Sequence, residues 1–395
     1  MISNCLLLFV FSSVVGASAD CVFSLKEDFG NPSPVLLRKG SYLSPNNQGD
    51  VRLGRGEVVL IGCPGDRQAV ILGNYSTGLN DLEVHCVANK TVRFGAGWTG
   101  DFKEIRCKTQ PWITTEDIGT CYGVMRNHRV GYKVRGEFYS LYEACFDMNL
   151  LSTLYVKHHV SPTNKFVQPG SRPKFIEGTV FGKMRMSKLY KFAHQKAQLS
   201  ALLGEEISDK QLTKKQFLTR GHLAPRADFS LRAQQRASFH YINTGPQWLR
   251  GNAGDWAALE DSVRSRAHRH NLTLTVYTGT HGVLSLPNAK NVSTPIYLAK
   301  DDNNNDIVPV PLYFFKVIYD PVGKTATAFI IINSPYINNK MISDMAFCND
   351  VCEMNPNFSW LRWRDDGAYS FCCTYKELAE EVELLPRLDV KGLFY

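Results

Sequence analysis

The chain has 395 residues, of which 44% are apolar, and its formal net charge is +8 at pH 7. This length is long for one domain and suits two, and the apolar content can form a substantial core. Beyond the first 19 residues no stretch approaches the ~18 consecutive apolar residues of a membrane-spanning helix, so we predict no membrane partner.

Residues 1–19 have the features of a secretory signal peptide. Residues 6–15 are mostly apolar, and Ala17-Ser18-Ala19 is a small-residue cleavage site, although no Lys or Arg precedes the apolar run. We therefore predict a secreted, extracellular protein. Five Asn-x-Ser/Thr sequons are glycosylation acceptors in such a protein, at Asn74, Asn89, Asn271, Asn291 and Asn357.

The cysteines agree with this compartment. Without Cys5, which lies in the predicted signal peptide, ten remain, and an even number predicts five disulfides. Zinc binding by the last four is disfavoured, because Cys-x3-Cys with a vicinal pair is a poor spacing for a tetrahedral site. We expect three disulfides before residue 150 and two near the C-terminus, among Cys21, Cys63, Cys86, Cys107, Cys121 and Cys145, and among Cys348, Cys352, Cys372 and Cys373.

Residues 20–146 are predicted to form a disulfide-rich β accessory domain. Short apolar runs such as residues 58–61 alternate with Gly, Pro and Asn turns, which is typical of short strands. No set of catalytic residue types occurs there, and His85 and His128 are interpreted as ordinary surface or core residues. The chemistry is therefore expected in the region that follows.

Residues 150–395 have a different pattern and are predicted to form an α+β domain. Strands and helices do not alternate regularly, which disfavours a doubly wound parallel sheet. Gly204 is expected to end the first helix, and Thr374 with Glu377 is a capping-box signature for the last. The predicted strands are residues 154–160, 273–278, 310–319 and 325–332, with a turn at 320–323, and the predicted helices are residues 187–203 and 374–385.

One motif combines residue types that phosphodiester hydrolysis requires. The segment Thr219-Arg220-Gly221-His222 is followed by Asn252 and Glu260, which we place on one helix. The reaction needs a base for water and a cation for the charge that develops on the phosphate. His222 is a suitable base because neutral imidazole accepts a proton near physiological pH. Arg220 is a permanent cation whose planar fork fits phosphate oxygens.

Residues 219–225, Thr-Arg-Gly-His-Leu-Ala-Pro, resemble the signature of the DNA/RNA non-specific endonucleases, which have the ββα-metal fold. The resemblance spans roughly residue 150 to the C-terminus and implies a mostly antiparallel sheet with flanking helices. Within the family the chain is most similar to secreted nucleases of crustaceans, including the duplex-specific enzyme. Many members have Asp at the position of Thr219, so this chain lacks one charge beside Arg220. The resemblance continues at Asn243, Gln247, Asn252, Glu260 and Arg264.

The resemblance implies that Asn252 is the single direct protein ligand of Mg²⁺, with Mn²⁺ as a substitute. Mg²⁺ keeps most of its waters and accepts few protein ligands, so one amide oxygen is chemically reasonable. The alternative is that Asn252 caps a helix. Glu260 is expected to face metal-bound water, and Arg264, four residues later, is expected to pair with it. The alternative for this pair is a plain surface ion pair.

The remaining candidates are assigned to the substrate. Residues 171–175 resemble an earlier arginine segment of the family, which makes Arg172 a second phosphate-binding candidate. Asn243 and Gln247 either fix the loop after the motif or contact substrate. Arg264 is grouped with these substrate-binding candidates.

Residues 157–269 contain twenty Lys and Arg but eight Asp and Glu. A basic surface is usually only a solvated face. Here it flanks the candidates for phosphate chemistry, so we predict a track for a polyanion. The predicted partners are DNA and, as a further substrate, RNA, and no obligate protein partner is expected.

Together these features predict a secreted, Mg²⁺-dependent endonuclease that hydrolyses DNA to 5′-phosphate products and prefers double-stranded DNA. The chemistry needs no 2′-hydroxyl, so the alternative is a sugar-non-specific nuclease that cleaves DNA and RNA alike. Two other classes stay open: a nucleic-acid-binding protein without activity, and a secreted carbohydrate- or protein-binding module carried by the N-terminal region. A plasmid-nicking assay with and without EDTA separates the enzyme from both.

Overall fold

The computed structural model describes residues 20–336, 343–353, 355–362 and 370–395. The predicted signal peptide, residues 1–19, lies outside the described residues. Within these four ranges, no helix is both long enough and apolar enough to span a membrane.

Short antiparallel strands form the N-terminal region. They are β1 (Cys21–Ser24), β2 (Val35–Arg38), β3 (Ser41–Tyr42), β4 (Asp50–Leu53), β5 (Val58–Gly62), β6 (Val70–Leu72), β7 (Tyr75–Ser76), β8 (Asp81–Ala88), β9 (Thr91–Phe94), β10 (Trp98–Asp101) and β11 (Ile105–Cys107). The largest sheet has the order β10-β9-β8-β5-β2-β3. In β8, buried Leu82, Val84 and Cys86 alternate with less buried residues, so one face of this sheet packs into the core.

An eight-stranded antiparallel sheet dominates the rest of the chain, in the α+β arrangement that the sequence predicts. The strands after the N-terminal region are β12 (Thr114–Tyr122), β13 (Met125–Val134), β14 (Glu137–Asp147), β15 (Ser152–Val160), β16 (Leu218–His222), β17 (Thr244–Trp248), β18 (Leu274–His281), β19 (Ser285–Pro287), β20 (Ser293–Pro295), β21 (Tyr297–Lys300), β22 (Asp306–Pro309), β23 (Tyr313–Asp320), β24 (Thr325–Ile332) and β25 (Ser370–Thr374). The large sheet has the order β12-β13-β14-β15-β18-β23-β24-β25. The four strands predicted after residue 150 are confirmed.

The large sheet crosses the predicted division of the chain. β12, β13 and β14 lie within the predicted accessory segment 20–146, but β14 pairs with β15 along residues 142–147. A continuous hydrogen-bonded sheet favours a domain boundary within residues 108–113, before β12. We therefore use the name accessory region for residues 20–113.

All five predicted disulfides form, three in the first half of the chain and two near its end. They are Cys21–Cys86, Cys63–Cys107, Cys121–Cys145, Cys348–Cys373 and Cys352–Cys372. All four C-terminal cysteines are in disulfides, so none of them is a thiolate that could bind zinc, and the zinc alternative is excluded. The last two bridges fasten residues 348–352 to adjacent positions of β25.

The helices are α1 (Met186–Leu189), α2 (Phe192–Leu203), α3 (Glu205–Gln211), α4 (Arg232–Ala237), α5 (Leu249–Ala253), α6 (Asp255–His270) and α7 (Tyr375–Glu381). The prediction of one helix over 187–203 is wrong, because Lys191 has an extended backbone, with φ −73° and ψ 136°. At that break Tyr190 is buried and its ring stacks on Tyr241. The capping box of Thr374 and Glu377 is confirmed, although α7 ends at Glu381 rather than at residue 385.

Helix α6 packs on one face of the large sheet. Its residues Trp256, Leu259 and Val263 are buried in the same core as Phe314 of β23, and the rings of Trp256 and Phe314 meet edge to face at 6.1 Å. An apolar stripe at this spacing is what seats a helix on a sheet. In the hairpin β16–β17, all of β17 is buried, whereas Thr219, Arg220 and His222 of β16 are half-buried.

Candidate active site

The sequence motif lies on a β-hairpin followed by helices. β16 and β17 pair antiparallel with His222 opposite Thr244, and α5 and α6 follow β17 directly. This order of elements is the ββα arrangement that the resemblance implies. Asn252 lies on α5 and Glu260 on α6, so the expectation that they share one helix is wrong. The physical reason is Gly254, whose ψ of −116° interrupts the helix between them.

Asn252 is held by the residue that departs from the family pattern. Its Nδ2 donates to the Thr219 hydroxyl at 2.9 Å, and that hydroxyl donates to the carbonyl oxygen of Gln247 at 2.8 Å. Among the described residues no donor reaches Asn252 Oδ1, and its side chain caps neither α5 nor α6. The structure therefore fixes the amide by its nitrogen and leaves its oxygen available to a ligand, which argues against the helix-cap alternative.

His222 has one enclosed and one accessible ring nitrogen. Its ring packs against Phe175 and Phe239, with centroids 5.1 and 4.8 Å away, and Nε2 is buried without a partner among the described residues. Burial lowers the pKa of His222 to about 3, with further lowering from the positive charges of Arg172 and Arg226. The imidazole is therefore neutral at physiological pH, which is the form that accepts a proton.

Arg220 lies in an aromatic cage. Its guanidinium stands 5.3 Å from the ring centroid of Phe175, 4.9 Å from that of Tyr190 and 5.5 Å from that of Tyr241. Nε donates to the Tyr241 hydroxyl at 2.8 Å. The cation–π contacts and this hydrogen bond hold the planar guanidinium group of Arg220 in one orientation. A cavity of about 530 Å³ opens beside it, with Arg172 also on its wall.

Glu260 carries an ionisable group without a direct partner. Among the hydrogen bonds and ion pairs of the described residues, none involves its carboxyl group. Burial raises the pKa of Glu260 to about 7; the positive charges of Lys316 and Arg264 oppose this rise and the charge of Asp228 adds to it. A partly buried carboxyl group whose oxygens have no partner among the described residues is suited to bind a cation or the waters of that cation.

Arg264 does not pair with Glu260. Its Nη1 is 2.8 Å from Oδ1 of Asp228, whose Oδ2 is 2.7 Å from Nε2 of His158. The side chains of Arg264 and Asp228 are only 11% and 6% exposed, so a salt link inside the fold replaces the predicted Glu260 pair. This buried position orients helix α6 and leaves the guanidinium little access to substrate.

Lys316 completes this buried charged group from the sheet. Its Nζ donates to the Thr278 hydroxyl at 2.6 Å and lies 5.0 Å from the Trp256 ring centroid. Burial lowers the pKa of Lys316, whereas the charges of Glu260 and Asp228 raise it. A buried ammonium near two carboxyl groups lowers the cost of keeping them ionised.

Asn243 and Gln247 are buried and do not reach a substrate. Asn243 bridges the loop after His222, because Oδ1 accepts from Ala224 N at 2.8 Å and Nδ2 donates to Ala224 O at 2.8 Å. Of the two roles that the sequence leaves open for Asn243, the structure supports the loop. The Gln247 amide has no partner among the described residues and fills the space that a side chain at Gly221 would need.

Arg172 is exposed, and its guanidinium lies 5.4 Å from the Phe239 ring centroid. The structure therefore gathers Arg172, Arg220 and His222 around shared aromatic rings. It links Asn252 to the same strand through Thr219. No hydrogen bond or ion pair of the described residues joins His222 to Asn252 or Glu260, so a phosphate and a cation would have to bridge these groups.

Sequence reasoning missed the aromatic cage and the buried charged group. Tyr190 and Tyr241 are separated from each other by about fifty positions and carry no local signal for a role at Arg220. Asp228, His158 and Lys316 lie on three separate elements, and each has an ordinary interpretation in its own segment. Their shared role can be recognised only in the folded structure, where their charged groups lie together in the core.

Comparisons with known proteins agree with this geometry. The profile of the family described as DNA/RNA non-specific endonuclease matches residues 124–377. A protein named salivary endonuclease from Lutzomyia longipalpis is 29% identical over 414 residues, which cover 99% of this chain and 91% of that relative. Another protein of that name, from Culex quinquefasciatus, is 26% identical over 286 residues, 71% of this chain and 72% of the relative.

A solved structure described as an EndoG/EndoGI complex covers 65% of this chain and 89% of its own, with 15% identity and a TM-score of 0.36. The family profile itself covers more than half of the chain and includes the hairpin β16–β17, α5 and α6. The similarity to crustacean enzymes within the family stays a prediction. On the profile match, this chain belongs to the DNA/RNA non-specific endonuclease family and is a nuclease, a hydrolase that acts on nucleic acids.

Proposed function

We propose that this nuclease is a secreted, Mg²⁺-dependent endonuclease that cleaves DNA, preferentially double-stranded, and leaves 5′-phosphate ends. The observation that carries the metal dependence is the Asn252 amide, held by its nitrogen with its oxygen free. Amide and carboxylate oxygens are the ligands that suit Mg²⁺, so Asn252 fits as the direct ligand and Glu260 as a group facing the metal's waters. A bound divalent cation would neutralise charge on the phosphate.

The proposed roles of the other residues follow from their surroundings. Nε2 of His222 is enclosed, so we assign its proton there and the free lone pair to Nδ1, which takes a proton from water attacking phosphorus. Arg220, fixed in its cage, and Arg172, exposed beside it, stabilise charge on the phosphate oxygens. Arg264 and Asn243 have supporting roles: Arg264 anchors helix α6 through Asp228, and Asn243 fixes the loop after His222.

The proposal is tested by incubating the protein with plasmid DNA in Mg²⁺, in Mn²⁺ and with EDTA, and then with matched duplex DNA, single-stranded DNA and RNA. Nicking in either metal, its loss with EDTA and 5′-labelling only after phosphatase treatment are expected. Equal rates on all three nucleic acids would favour the sugar-non-specific alternative. Cleavage that persists in EDTA would contradict the metal role.

Secretion is proposed on independent grounds. Five disulfides form among the described residues, and disulfides of this number persist in oxidising compartments. Two relatives carry the word salivary in their names. Expression with residues 1–19 intact is expected to place the protein in the culture medium, cleaved after residue 19, as N-terminal sequencing would show.

Thr219 is expected to act through Asn252. Thr219→Val removes the hydroxyl that accepts from Asn252 Nδ2 while keeping the side-chain shape. Loss of a group that orients a metal ligand costs roughly 10–100-fold in metal affinity or activity, so the Mg²⁺ midpoint of cleavage should rise by that factor. Thr219→Ser retains the hydroxyl and should restore the midpoint. Equal midpoints for the valine variant and the wild type would remove Thr219 from this role.

The Mg²⁺ midpoint is also expected to depend on pH. Glu260 has a pKa of about 7 because of burial, so below that pH its carboxyl group is protonated and does not attract a cation. Raising the pH ionises it and strengthens cation binding, by up to about tenfold per pH unit below the pKa when one proton is released. His222 contributes nothing in this range, since its pKa is about 3. Glu260→Gln should flatten the dependence; a slope retained by that variant would mean another group titrates.

A further inference from the structure

A second cavity, of about 330 Å³, lies where the accessory region meets the nuclease core. Ser33 and Gln110 line it from the accessory region, and Lys174, Arg232 and Arg236 line it from the core. Residues 173–175 border both this cavity and the one beside Arg220. The two cavities are therefore adjacent, with residues 173–175 between them.

The cations around this cavity lack carboxylate partners. Arg232 Nη1 donates to the carbonyl oxygen of Pro169 at 3.1 Å, and Arg236 Nη1 donates to that of Pro111 at 2.6 Å. Among the described residues, no ion pair involves Arg172, Lys174, Arg226, Arg232 or Arg236. The carbonyl oxygens of Pro169 and Pro111 hold the guanidinium groups of Arg232 and Arg236 in place without neutralising their charge.

Cations on the large sheet, by contrast, are neutralised. Arg126 and Arg129 of β13 pair with Asp117 and Glu116 of β12, at 2.7 and 2.6 Å. Arg232 of the cavity instead faces like charge nearby: burial lowers the pKa of Arg226, and the charges of Arg232 and Arg172 lower it further. Clustering like charges without counter-charges costs free energy, and an anionic ligand would recover that cost.

The accessory wall offers neutral hydrogen-bonding groups. Ser33 is 3% exposed, lines the cavity, and its Oγ has no partner among the described residues. Gln110 is exposed, and its backbone oxygen accepts from Gln68, whereas its side-chain amide has no partner among the described residues. A hydroxyl and an amide facing several uncompensated cations make a surface for phosphate oxygens, which accept hydrogen bonds and carry negative charge.

We propose that this cavity is an auxiliary backbone-phosphate site, at which the accessory region helps to hold the nucleic acid beyond the phosphate being cleaved. The proposal rests on the proposed function for the class of ligand, a polynucleotide. It gives the accessory region a role in substrate binding: Ser33 and Gln110 contact a backbone phosphate that Lys174, Arg232 and Arg236 attract.

The accessory wall is tested with two identical chemical changes. Gln110→Glu places a negative charge in the cavity, and Gln48→Glu places one on an exposed residue of the same region outside it. The binding of each full-length protein to a labelled 30-base-pair DNA duplex is measured by fluorescence anisotropy in EDTA, which stops cleavage. We expect Gln110→Glu to weaken binding about fivefold at low salt, the effect of one close like charge near a solvated surface. Gln48→Glu should change it less than twofold.

The cationic wall is tested by its salt dependence. Lys174→Gln with Arg232→Gln removes two charges, and each phosphate contact contributes ~0.9 to the slope of log affinity against log salt for duplex DNA. The slope should become shallower by about 2, whereas Lys290→Gln with Lys391→Gln, two exposed cations outside the cavity, should leave it unchanged. The circular dichroism spectrum and the thermal midpoint of every variant should match those of the wild type, which shows that each variant is folded.

Equal binding by Gln110→Glu and Gln48→Glu would overturn the role of the accessory region. An unchanged slope in the Lys174 and Arg232 double variant would overturn the phosphate site itself. Neither result depends on cleavage. If the wild type binds duplex DNA and does not nick plasmid in Mg²⁺ or Mn²⁺, the proposed function fails and the binding comparison still decides the auxiliary site.

Discussion

His222→Ala is expected to reduce cleavage of duplex DNA by roughly 10²–10⁴-fold, the range that general-base catalysis contributes. The imidazole is kept neutral by burial and by neighbouring positive charge, and only one of its nitrogens is enclosed. Binding should persist, because the uncompensated cations Arg172, Arg226 and Arg232 remain. Initial rates on plasmid and the Kd for a labelled duplex in EDTA measure the two effects separately.

The control for this substitution is His85→Ala, on β8 of the accessory region. It should leave both rate and affinity unchanged. A His222→Ala variant that keeps near-normal turnover would remove His222 from the reaction. A variant that loses binding together with turnover would show instead that His222 supports the packing of Phe175 and Phe239.

Asn252→Ala is expected to lower activity at saturating Mg²⁺ by about 10²–10³-fold, the typical loss when one group that stabilises transition-state charge is removed. The substitution deletes the free amide oxygen and the donor to Thr219 together. The Mg²⁺ midpoint of cleavage should rise as well, since Asn252 is the one residue proposed to bind the cation directly.

Asn252→Asp is the matched variant, because it keeps an oxygen in the same place and adds charge. It should retain more activity than the alanine variant and need less Mg²⁺. A titration of initial rate against Mg²⁺ for the three proteins checks both statements. If the alanine variant has the wild-type midpoint and rate, the cation binds elsewhere and Asn252 serves only to hold α5 against β16.

The sequence alone supplied the candidate residues for the chemistry of this site. His222, Arg220 and Asn252 are identified as candidates by residue type and by spacing within about thirty positions, although the hairpin β16–β17 and the division between α5 and α6 were not predicted. The disulfide count and the strands β15, β18, β23 and β24 are also local properties, since alternation and turn residues act over a few positions. The resemblance to the family is clearest in the short segment 219–225, and the profile match over residues 124–377 confirms the family.

Local pattern failed where distant contacts decide the backbone. The predicted helices continue through Lys191 and Gly254, but in the structure each helix is interrupted there. Tyr190 is buried beside Tyr241, and Asn252 on α5 donates to Thr219. At Gly254 the low helix propensity of glycine also favours the interruption. Packing of a side chain in the core outweighs propensities of less than about 1 kcal/mol per residue. The pairing of β14 with β15, which crosses the predicted division near residue 146, likewise has no local signal in the sequence.

Only the tertiary structure decided the environment of each catalytic candidate. The pKa values of His222 and Glu260 depend on burial and on charges brought from other elements, and the partner of Arg264 is Asp228, thirty-six positions away, rather than Glu260 at four. The meeting of Ser33 and Gln110 with Arg232 is equally invisible in the sequence. Residue types and spacings set what a group can do, whereas solvation and distant charges, which exist only in the folded chain, set whether it does so.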